Sequence, residues 1–340
     1  MDFTSWYSAK HILLFFGAIM IYNITKFIFK KACRIFFKKI TIIGNRTLLG
    51  NRPVILALNH PNSFLDAIVT AVNVKGGIYT LTRGDVFKNK IVAALLKTFY
   101  MIPIFRISEG KENMDKNFET FDTAQKILGA NKTILIFSEG LCENNWDFRP
   151  LKKGTARLAL DAWSNSATAN TVVIPLGLTY DHYSGAGKSL IMNFGEPIYA
   201  TDFNENDFQS GFTVVFNQLL QKRLSDLIYI NKSLVEGSGQ HKKFVSNWDA
   251  LEQKFKGADL FNELKKGFPE NIILKPKWFA SSIHKSIVFI PHYWFCEWLA
   301  FKLTRGNVFY DSILLVLLVF VLPIYLLLLA MAGYLIFHFV

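Results

Sequence analysis

The chain has 340 residues, of which 51% are hydrophobic and 32 are phenylalanine, and it carries a formal net charge of +12. That length allows one large domain with membrane segments or two modest domains, and the apolar content is heavy for an ordinary soluble enzyme. The three cysteines, Cys33, Cys142 and Cys296, are far apart in the sequence and leave one unpaired, which argues for a reducing compartment and against a disulfide framework or a zinc site.

The N-terminal segment combines an apolar run with basic charge. His11–Thr25 has 15 residues before Lys26 and lacks the small-residue cleavage site of a signal peptide, so we expect it to be retained, as a short span or as a helix in the membrane interface. No acidic residue occurs between Phe3 and Leu65. Basic charge beside apolar segments favours an anionic lipid surface over nucleic acid and places the following domain on the cytoplasmic side. The basic residues in this stretch are Lys10, Lys26, Lys30, Lys31, Arg34, Lys38, Lys39, Arg46 and Arg52.

Short β-like runs alternate with helical patterns between about residues 40 and 230. This alternation predicts an α/β domain with a largely buried sheet. The predicted strands are Ile40–Ile43, Val54–Leu58, Ile78–Leu81, Met101–Phe105, Thr133–Phe137, Val172–Thr179 and Leu190–Phe194. The predicted helices are Phe64–Val74, Lys90–Thr98, Asn117–Leu128, Thr155–Trp163 and Asp207–Tyr229. Glu236–Asn247 is polar and glycine-containing, and we interpret it as an exposed linker.

The turn after the second predicted strand carries a histidine and an aspartate. His60 follows Val54–Leu58, and Asp66 lies near the start of the next helical run. Histidine can act as a general base near neutral pH, and a nearby carboxylate can fix its tautomer and stabilise its cation. An alternative is purely structural, because Ser63 and Asp66 also match a capping box that would satisfy the first-turn amides.

Further polar clusters follow the later strands. Arg106 ends one apolar run, Ser138, Glu139 and Gly140 end another, and Lys152 and Lys153 precede a predicted helix. Each cluster alone has an ordinary structural explanation, such as an ion pair between Arg106 and Glu139 or a solvated turn at the two lysines. Pro175 falls inside a strand-like run, which predicts a bend or an edge strand there.

The C-terminal region is the most apolar part of the chain. Ser312–Val340 contains no Asp, Glu, Lys or Arg over 29 residues, which is long enough to cross a bilayer. Pro323 interrupts this run, so it predicts either one kinked span or a re-entrant hairpin. The preceding stretch Ser286–Leu303 contains Glu297 and two tryptophans, and we interpret it as interfacial.

Taken in order, these motifs resemble those of the glycerolipid acyltransferase family, over about residues 50–200. His60 and Asp66 match the first of four motifs, Pro103 to Arg106 the second, and Ile174 to Leu176 the fourth. The third motif matches at Phe137, Glu139 and Gly140, and the segment LKKGTARLA resembles the lysine–glycine segment that follows it. The resemblance implies a mixed sheet flanked by helices, and the apolar segments described above add an N-terminal membrane-associated helix and a C-terminal apolar membrane segment.

The chain departs from the family pattern at three places. Five residues separate His60 from Asp66, where the family usually has four. The five-residue variant HPNSFLD resembles one branch of the family, the glycerol-phosphate acyltransferase-like one. Tyr100 stands where the second motif usually opens with glycine. In the third motif Ser138 replaces proline, and Cys142 occupies the place of the phosphate-binding arginine. The last change bears on the acceptor substrate.

The resemblance implies direct acyl transfer from a thioester to a hydroxyl. His60 is then the general base and Asp66 orients it. Arg106, with Lys152 or Lys153, is expected to bind the acceptor phosphate, and Arg149 lies nearby. Glu139 and Gly140 of the third motif are expected at the acceptor site, with Glu139 binding a hydroxyl or fixing those cations. No metal or organic cofactor is implied, and acyl-CoA or acyl carrier protein is the co-substrate.

The expected reaction is acylation of 1-acylglycerol-3-phosphate, in membrane phospholipid synthesis. One alternative is an acyltransferase for glycerol-3-phosphate or for a lyso-lipid without phosphate, which Cys142 favours. An alternative of another class is a non-catalytic membrane lipid-binding protein. The expected partners are membrane lipids and the acyl donor, not nucleic acid, and the expected location is the cytoplasmic membrane or an equivalent endomembrane, with the site facing the cytoplasm.

The expected organisation has four parts. Residues 1–39 form a membrane-associated helix and residues 40–235 the acyltransferase domain. Residues 236–281 form a linker with a helical extension, and residues 282–340 form the interfacial and membrane-inserted segments.

Overall fold

The computed structural model describes residues 3–88, 90, 93, 96, 97, 99–105, 116–267 and 287–339. Its strands are β1 (Phe37–Ile43), β2 (Val54–Leu58), β3 (Ile78–Arg83), β4 (Met101–Ile104), β5 (Thr133–Phe137), β6 (Val172–Tyr180) and β7 (Lys188–Phe194). The helices are α1 (Phe3–Phe36), α2 (Ser63–Asn73), α3 (Lys116–Gly129), α4 (Gly154–Ser164), α5 (Glu205–Gln209), α6 (Phe212–Leu227), α7 (Gly239–Lys254), α8 (Gly257–Lys266), α9 (Ile290–Thr304) and α10 (Tyr310–Phe339). Single 3₁₀ turns cover Gly84–Phe87, Ala200–Asp202 and Ile287–Phe289.

All strands belong to one mixed sheet in the order β1-β7-β6-β2-β5-β3-β4. Every neighbouring pair is parallel except β6 and β7, which are antiparallel. β2 and β6 are buried along their whole length, as expected for strands covered on both faces. The expected α/β class with a mixed sheet flanked by helices is confirmed.

Alternate side chains of β2 divide the interior into two layers. Val54, Leu56 and Leu58 pack with apolar residues of α1, α2 and α7 to α10 on one face of the sheet. Ile55 and Ala57 pack with α3, α4 and α6 on the other face. This alternation follows from the two-residue period of a strand, and it covers both faces of the central sheet.

Three adjacent strands bring the polar motifs to one edge of the sheet. β2 lies between β5 and β6 and runs parallel to both, with Leu58 opposite Phe137 in one ladder and Leu176 in the other. Since the carboxyl ends of parallel neighbours meet, the residues that follow β2 and β5 lie side by side. The second residue after each paired strand end is His60 in one case and Glu139 in the other.

Pro175 is in a central strand, so the edge expectation for this residue was wrong. Its carbonyl accepts the N–H of Gly195, on the β7 side, just before the β6–β7 ladder begins at Leu176 and Phe194. Proline has no N–H to donate. At Pro175 the absent N–H would lie on the β7 side, just outside the β6–β7 ladder, so no regular strand hydrogen bond is lost.

The structure corrects two predictions, one of a helix and one of a linker. The predicted helix Asp207–Tyr229 is two helices, α5 and α6, separated at Gly211, whose φ is +82°. The predicted linker Glu236–Asn247 is largely α7, which begins at Gly239 after an N-cap serine, Ser238. The polar residues of α7 misled the sequence interpretation because its apolar face is narrow. The predicted helix Lys90–Thr98 lies mostly outside the described residues.

The C-terminal apolar run is one continuous helix, α10, with Pro323 inside it, so the hairpin alternative is excluded. Among the described helices, only the stretch Tyr310–Leu335 is long and apolar enough to cross a membrane, by length and composition. Its first turns are not free, because Leu314, Leu315 and Leu318 are buried in the core of the domain. Beyond Pro323 most of the side chains are exposed.

The N-terminal helix α1 is longer than the apolar run in the sequence and is joined to the domain. Lys26 Nζ donates to the carbonyls of Val74 and Gly76, at 2.8 and 2.6 Å, at the carboxyl end of α2. A cation at this end of a helix meets carbonyls that have no partner within the helix. β1 then begins at Phe37, inside the segment that was assigned to the N-terminal part.

One glycine of β6 marks a close approach that can be tested. A Cβ at Gly177 would lie 2.5 Å from the carbonyl oxygen of Leu227, at the end of α6. Gly177→Ala is therefore expected to destabilise the protein by about 1–3 kcal/mol through overpacking. Thermal unfolding followed by circular dichroism checks this.

The matched control is Gly239→Ala. Gly239 is the first residue of α7, and a Cβ added there would have no other atom within 4 Å. Alanine is the better helix former, so this variant should be as stable as the wild type or more stable. Equal melting temperatures for the two variants would show that β6 and the end of α6 are not in close contact.

Candidate active site

His60 and Asp66 are in direct contact. His60 Nδ1 lies 2.9 Å from Asp66 Oδ2, and the histidine side chain is 16% exposed whereas that of Asp66 is fully buried. The imidazole stacks on the ring of Phe137, with 3.7 Å between centroids. Because a carboxylate accepts from Nδ1, that nitrogen carries the proton in the neutral ring, and Nε2 is left to accept one. The pair has the arrangement of an oriented general base.

The buried carboxylate of Asp66 has three donors. Besides the histidine, Oδ2 accepts the backbone N–H of Asn62 at 2.8 Å, and Oδ1 accepts the hydroxyl of Tyr180 at 2.7 Å. Burial, together with the charge of Asp66, raises the pKa of Tyr180 well above its usual range, so the phenol remains a donor. Such donors compensate for the desolvation of a buried charge.

The capping-box alternative is only partly realised. Ser63 is the first residue of α2 rather than its cap, and the N-cap residue Asn62 makes no side-chain capping bond. Asp66 does satisfy one backbone N–H at the start of the helix, that of Asn62. The aspartate therefore orients the histidine and holds the helix start with one carboxylate oxygen, Oδ2.

Glu139 fastens the histidine turn to the third motif. Its Oε1 accepts the backbone N–H of His60 at 2.8 Å, and its Oε2 accepts that of Arg149 at 3.2 Å. The side chain is only 2% exposed. Burial raises the pKa of Glu139, while Arg149 and the N–H donors lower it. Both oxygens accept backbone N–H groups, so Glu139 is a scaffold residue of the turn, and in the described part of the chain the cation that it contacts is Arg149, which was not among those expected.

Arg149 is the cation that Glu139 contacts. Its Nε lies 2.9 Å from Glu139 Oε2, and its Nη1 lies 2.9 Å from Glu143 Oε2. The sequence pattern marks Arg149 only as a neighbour of the motifs, and the ion pair that it suggests for Glu139, as the structural alternative, is with Arg106. Arg106 lies outside the described residues. The signal for Arg149 was its place between the third motif and the lysine pair, but spacing alone does not identify a partner.

Lys152 and Lys153 are exposed beside the third motif. The backbone N–H of Lys152 donates to the carbonyl of Ser138 at 2.8 Å, so the segment returns to the end of β5. Gly140 has φ +68°, and a Cβ there would lie 2.8 Å from Lys152 Cγ. Only glycine combines that conformation with this approach. Gly140 thus acts through its lack of a side chain, and the lysine side chains stay accessible.

Cys142 is tied to the same turn. Its Sγ accepts the backbone N–H of Ser63 at 2.8 Å. Burial, reinforced by the negative charge of Asp66, raises the pKa of the thiol well above its ordinary value. A thiol that is not ionised is a poor nucleophile, so Cys142 serves as a structural contact of this turn.

One cavity is lined by residues other than those of the histidine–aspartate cluster. A cavity of about 470 Å³ is bordered by β3, β4 and α3, and its lining includes Tyr79, Pro103 and Thr120 but not His60, Asp66 or Glu139. Within the described residues, no group of three or more His, Cys, Asp or Glu side chains is placed to hold a metal ion.

Comparisons with known proteins agree with the resemblance that the motifs indicate. The family described as Acyltransferase matches residues 39–179. A yeast protein, glycerol-3-phosphate O-acyltransferase 2 of Saccharomyces cerevisiae (strain ATCC 204508 / S288c), is 26% identical over 117 residues. This stretch is 34% of the present chain and only 16% of the yeast protein.

A solved structure is also similar in part. It is that of the 1-acyl-sn-glycerophosphate (LPA) acyltransferase PlsC from Thermotoga maritima, with 13% identity, a TM-score of 0.37, and coverage of 56% of this chain and 72% of the other. A similarity at this level supports no argument about the reaction. The family match and the motifs that it spans identify residues 39–179 as an acyltransferase domain, similar to those of glycerolipid acyltransferases.

Proposed function

We propose that the protein transfers a fatty acyl chain from acyl-CoA or acyl carrier protein to a hydroxyl of a glycerophosphate, with 1-acylglycerol-3-phosphate as the principal acceptor. The observation that carries this proposal is the His60–Asp66 contact at 2.9 Å, with the carboxylate fully buried. That contact orients Nε2 as the base and stabilises the imidazolium formed when it takes a proton.

The proton transfers of the proposed reaction run through His60, first as a base and then as an acid. His60 Nε2 takes the proton of the acceptor hydroxyl as its oxygen bonds to the thioester carbonyl carbon. The tetrahedral intermediate then collapses, the C–S bond breaks, and the imidazolium gives its proton to the leaving thiolate. The ester and a free thiol are the products. The raised pKa of Cys142 supports direct transfer, because a neutral thiol does not compete as an acyl carrier.

The acceptor phosphate is proposed to meet Lys152, Lys153 and Arg106. The two lysines are exposed at the third motif, and Arg106 retains the role that the motif resemblance implies. Arg149 is less suited to this role, because two carboxylates already contact its guanidinium. Cations that bind the acceptor phosphate should affect binding of the acceptor and not that of the thioester.

Glycerol-3-phosphate is a second candidate acceptor. The name of the yeast relative favours glycerol-3-phosphate as the acceptor. The matched stretch, 26% identical over 117 residues, is long enough to include the motifs of one acyltransferase domain. Purified protein assayed with a panel of acceptors, read by lipid mass spectrometry, distinguishes the candidates. Transfer only to a lyso-lipid without phosphate would exclude both glycerophosphates, and binding of lipid without any transfer would support a non-catalytic protein.

Association with an anionic membrane surface is also proposed. α1 exposes Met20, Ile21, Ile24, Phe27 and Ile28, and α9 exposes aromatic residues. Lys30, Lys31 and Arg34 are exposed on α1 near these apolar side chains. This combination of apolar and basic side chains favours anionic lipid headgroups, with the site on the cytoplasmic side.

The first prediction of this proposal concerns the base. His60→Ala should lower kcat by about 10²–10⁴-fold, and Asp66→Asn by about a hundredfold or more, because the imidazole loses its role or its orientation. Single-turnover acyl transfer measures both. His182→Ala is the matched control, since His182 Nδ1 also lies 2.9 Å from an aspartate, Asp181, and its side chain is 20% exposed.

The control should retain wild-type turnover. Wild-type turnover by His60→Ala would refute the mechanism. An Asp66→Asn protein with full turnover and a lowered melting temperature would show that the aspartate serves only the helix start.

The second prediction concerns the acceptor phosphate. Lys152→Met, Lys153→Met and Arg106→Ala should each raise the KM for 1-acylglycerol-3-phosphate by about tenfold, with the KM for the thioester unchanged, because a charge-assisted contact is worth about 1.5–3 kcal/mol. Methionine keeps the aliphatic stem of lysine. Lys132→Met is the control, because Lys132 is exposed at the opposite end of β5. Equal changes for both substrates would assign these cations a structural role.

The third prediction concerns attachment. A protein truncated after Leu318 keeps the buried part of α10 and loses its exposed apolar turns. It should still float with anionic vesicles through α1, and the bound fraction should fall as salt is raised, because basic side chains supply part of the attraction. Neutral vesicles provide the control. A truncated protein that stays in solution at low salt would show that α1 is not an anchor.

A further inference from the structure

The start of α10 reaches the turn that carries the catalytic pair. Asn62 Nδ2 donates to Asp311 Oδ2 at 3.1 Å, and the backbone N–H of Leu65 donates to Ser312 Oγ at 2.8 Å. Asn62 precedes α2, and Leu65 is the third residue of the helix, directly before Asp66. Asp311 and Ser312 are 1% and 2% exposed, so both contacts are shielded from water.

Asp311 also contacts the loop between β6 and β7. Its Oδ1 accepts the N–H of Gly185 at 2.8 Å, and its Oδ2 contacts the ammonium group of Lys188. Lys188 donates in addition to the carbonyl of Tyr183 at 2.6 Å. The side chains of Asp311 and Lys188 are fully buried. A buried ion pair of this kind adds little net stability over an apolar pair. The importance of Asp311 therefore lies in the groups that it positions.

The contacts meet a need of the catalytic turn. The first N–H groups of a helix have no partner within it, and α2 has no side-chain cap at Asn62. Asp66 satisfies one of these groups, that of Asn62, and Ser312 satisfies another, that of Leu65. The path from His60 to Asp66 is therefore held from outside by the C-terminal helix. A shift of this backbone moves the carboxylate relative to the imidazole.

We infer that Asp311 and Ser312 are positioning residues for the His60–Asp66 pair, although they lie in the helix that carries the apolar C-terminal segment. This inference rests on the proposed function. They touch neither substrate nor reacting atoms and act through Asn62 and Leu65. The first turn of α10 is accordingly a component of the acyltransferase site, and only the later turns belong to the apolar extension.

Ser312→Ala tests the inference against a matched variant, Ser238→Ala. Each serine hydroxyl accepts a first-turn N–H, that of Leu65 at 2.8 Å and that of His241 at 3.1 Å, but only the first lies beside the site. Both variants should lower the melting temperature, because each loses one capping contact. Only Ser312→Ala should lower kcat, by about tenfold or more, with KM values for both substrates within about twofold of wild type.

A readout that does not depend on activity accompanies the kinetics. The full-length protein with ¹³C-labelled histidine rings, in detergent micelles, gives an NMR signal for His60 that His60→Gln assigns. This signal should move in Ser312→Ala and stay in place in Ser238→Ala. Equal kcat values for the two serine variants together with an unmoved His60 signal would overturn the positioning role.

Failure of the proposed function is distinguishable from failure of the inference. If the wild-type protein acylates no acceptor, the proposed function is overturned. If, in the same experiments, the His60 signal moves in Ser312→Ala and not in Ser238→Ala, the positioning role is retained. Asp311 is tested with Asp311→Leu/Lys188→Met, which replaces both members of the buried pair and so leaves no lone charge. This double variant should fold and show lowered kcat, and wild-type kcat would remove Asp311 from the inference.

Discussion

A single buried carboxylate, that of Asp66, sets the conditions for the rest of the site. An ionised group without contact with water requires several donors, and here they come from three parts of the chain: the imidazole of His60, the backbone of Asn62 and the hydroxyl of Tyr180. The strand order places β6 next to β2, so Tyr180 reaches the turn that follows β2. The same network that pairs the histidine with its carboxylate therefore ties a helix start to the sheet.

The titratable side chains around the Asp66 carboxylate differ in how deeply they are buried. Glu139 is buried beside it and has a raised pKa, but both of its oxygens accept backbone N–H groups and one of them also contacts Arg149. Cys142 contributes a sulfur that accepts the backbone N–H of Ser63, and the pKa of its thiol is raised. The accessible positive charge is displaced outward, to Lys152 and Lys153. The buried part of the site thus holds the histidine–aspartate pair, and the accessible positive charge lies on exposed side chains.

Local patterns predicted the strands well, because buried parallel strands are continuous apolar runs bounded by turn residues. The bounds of β2 and β5 agree with the prediction residue for residue. The pairing of His60 with Asp66 was also accessible, since both lie in one turn. The donors and acceptors Tyr180, Ser312 and Asp311 were not, because they lie 114 to 249 residues away from their partners. α7 was missed for a different reason: its tertiary contacts, not its composition, make it a helix.

The long separation between Asn62 and Asp311 has a consequence for the order in which the chain is made. The strand β1 pairs with β7, so β1 waits for a strand that is synthesised long after it. The catalytic turn waits longer still, since the acceptors that complete it are synthesised 247 and 249 residues after it. A nascent chain can form β2 and α2 early, yet its histidine turn remains incompletely held until α10 begins to emerge. Synthesis therefore completes the acyltransfer site only when the apolar C-terminal helix is itself being produced.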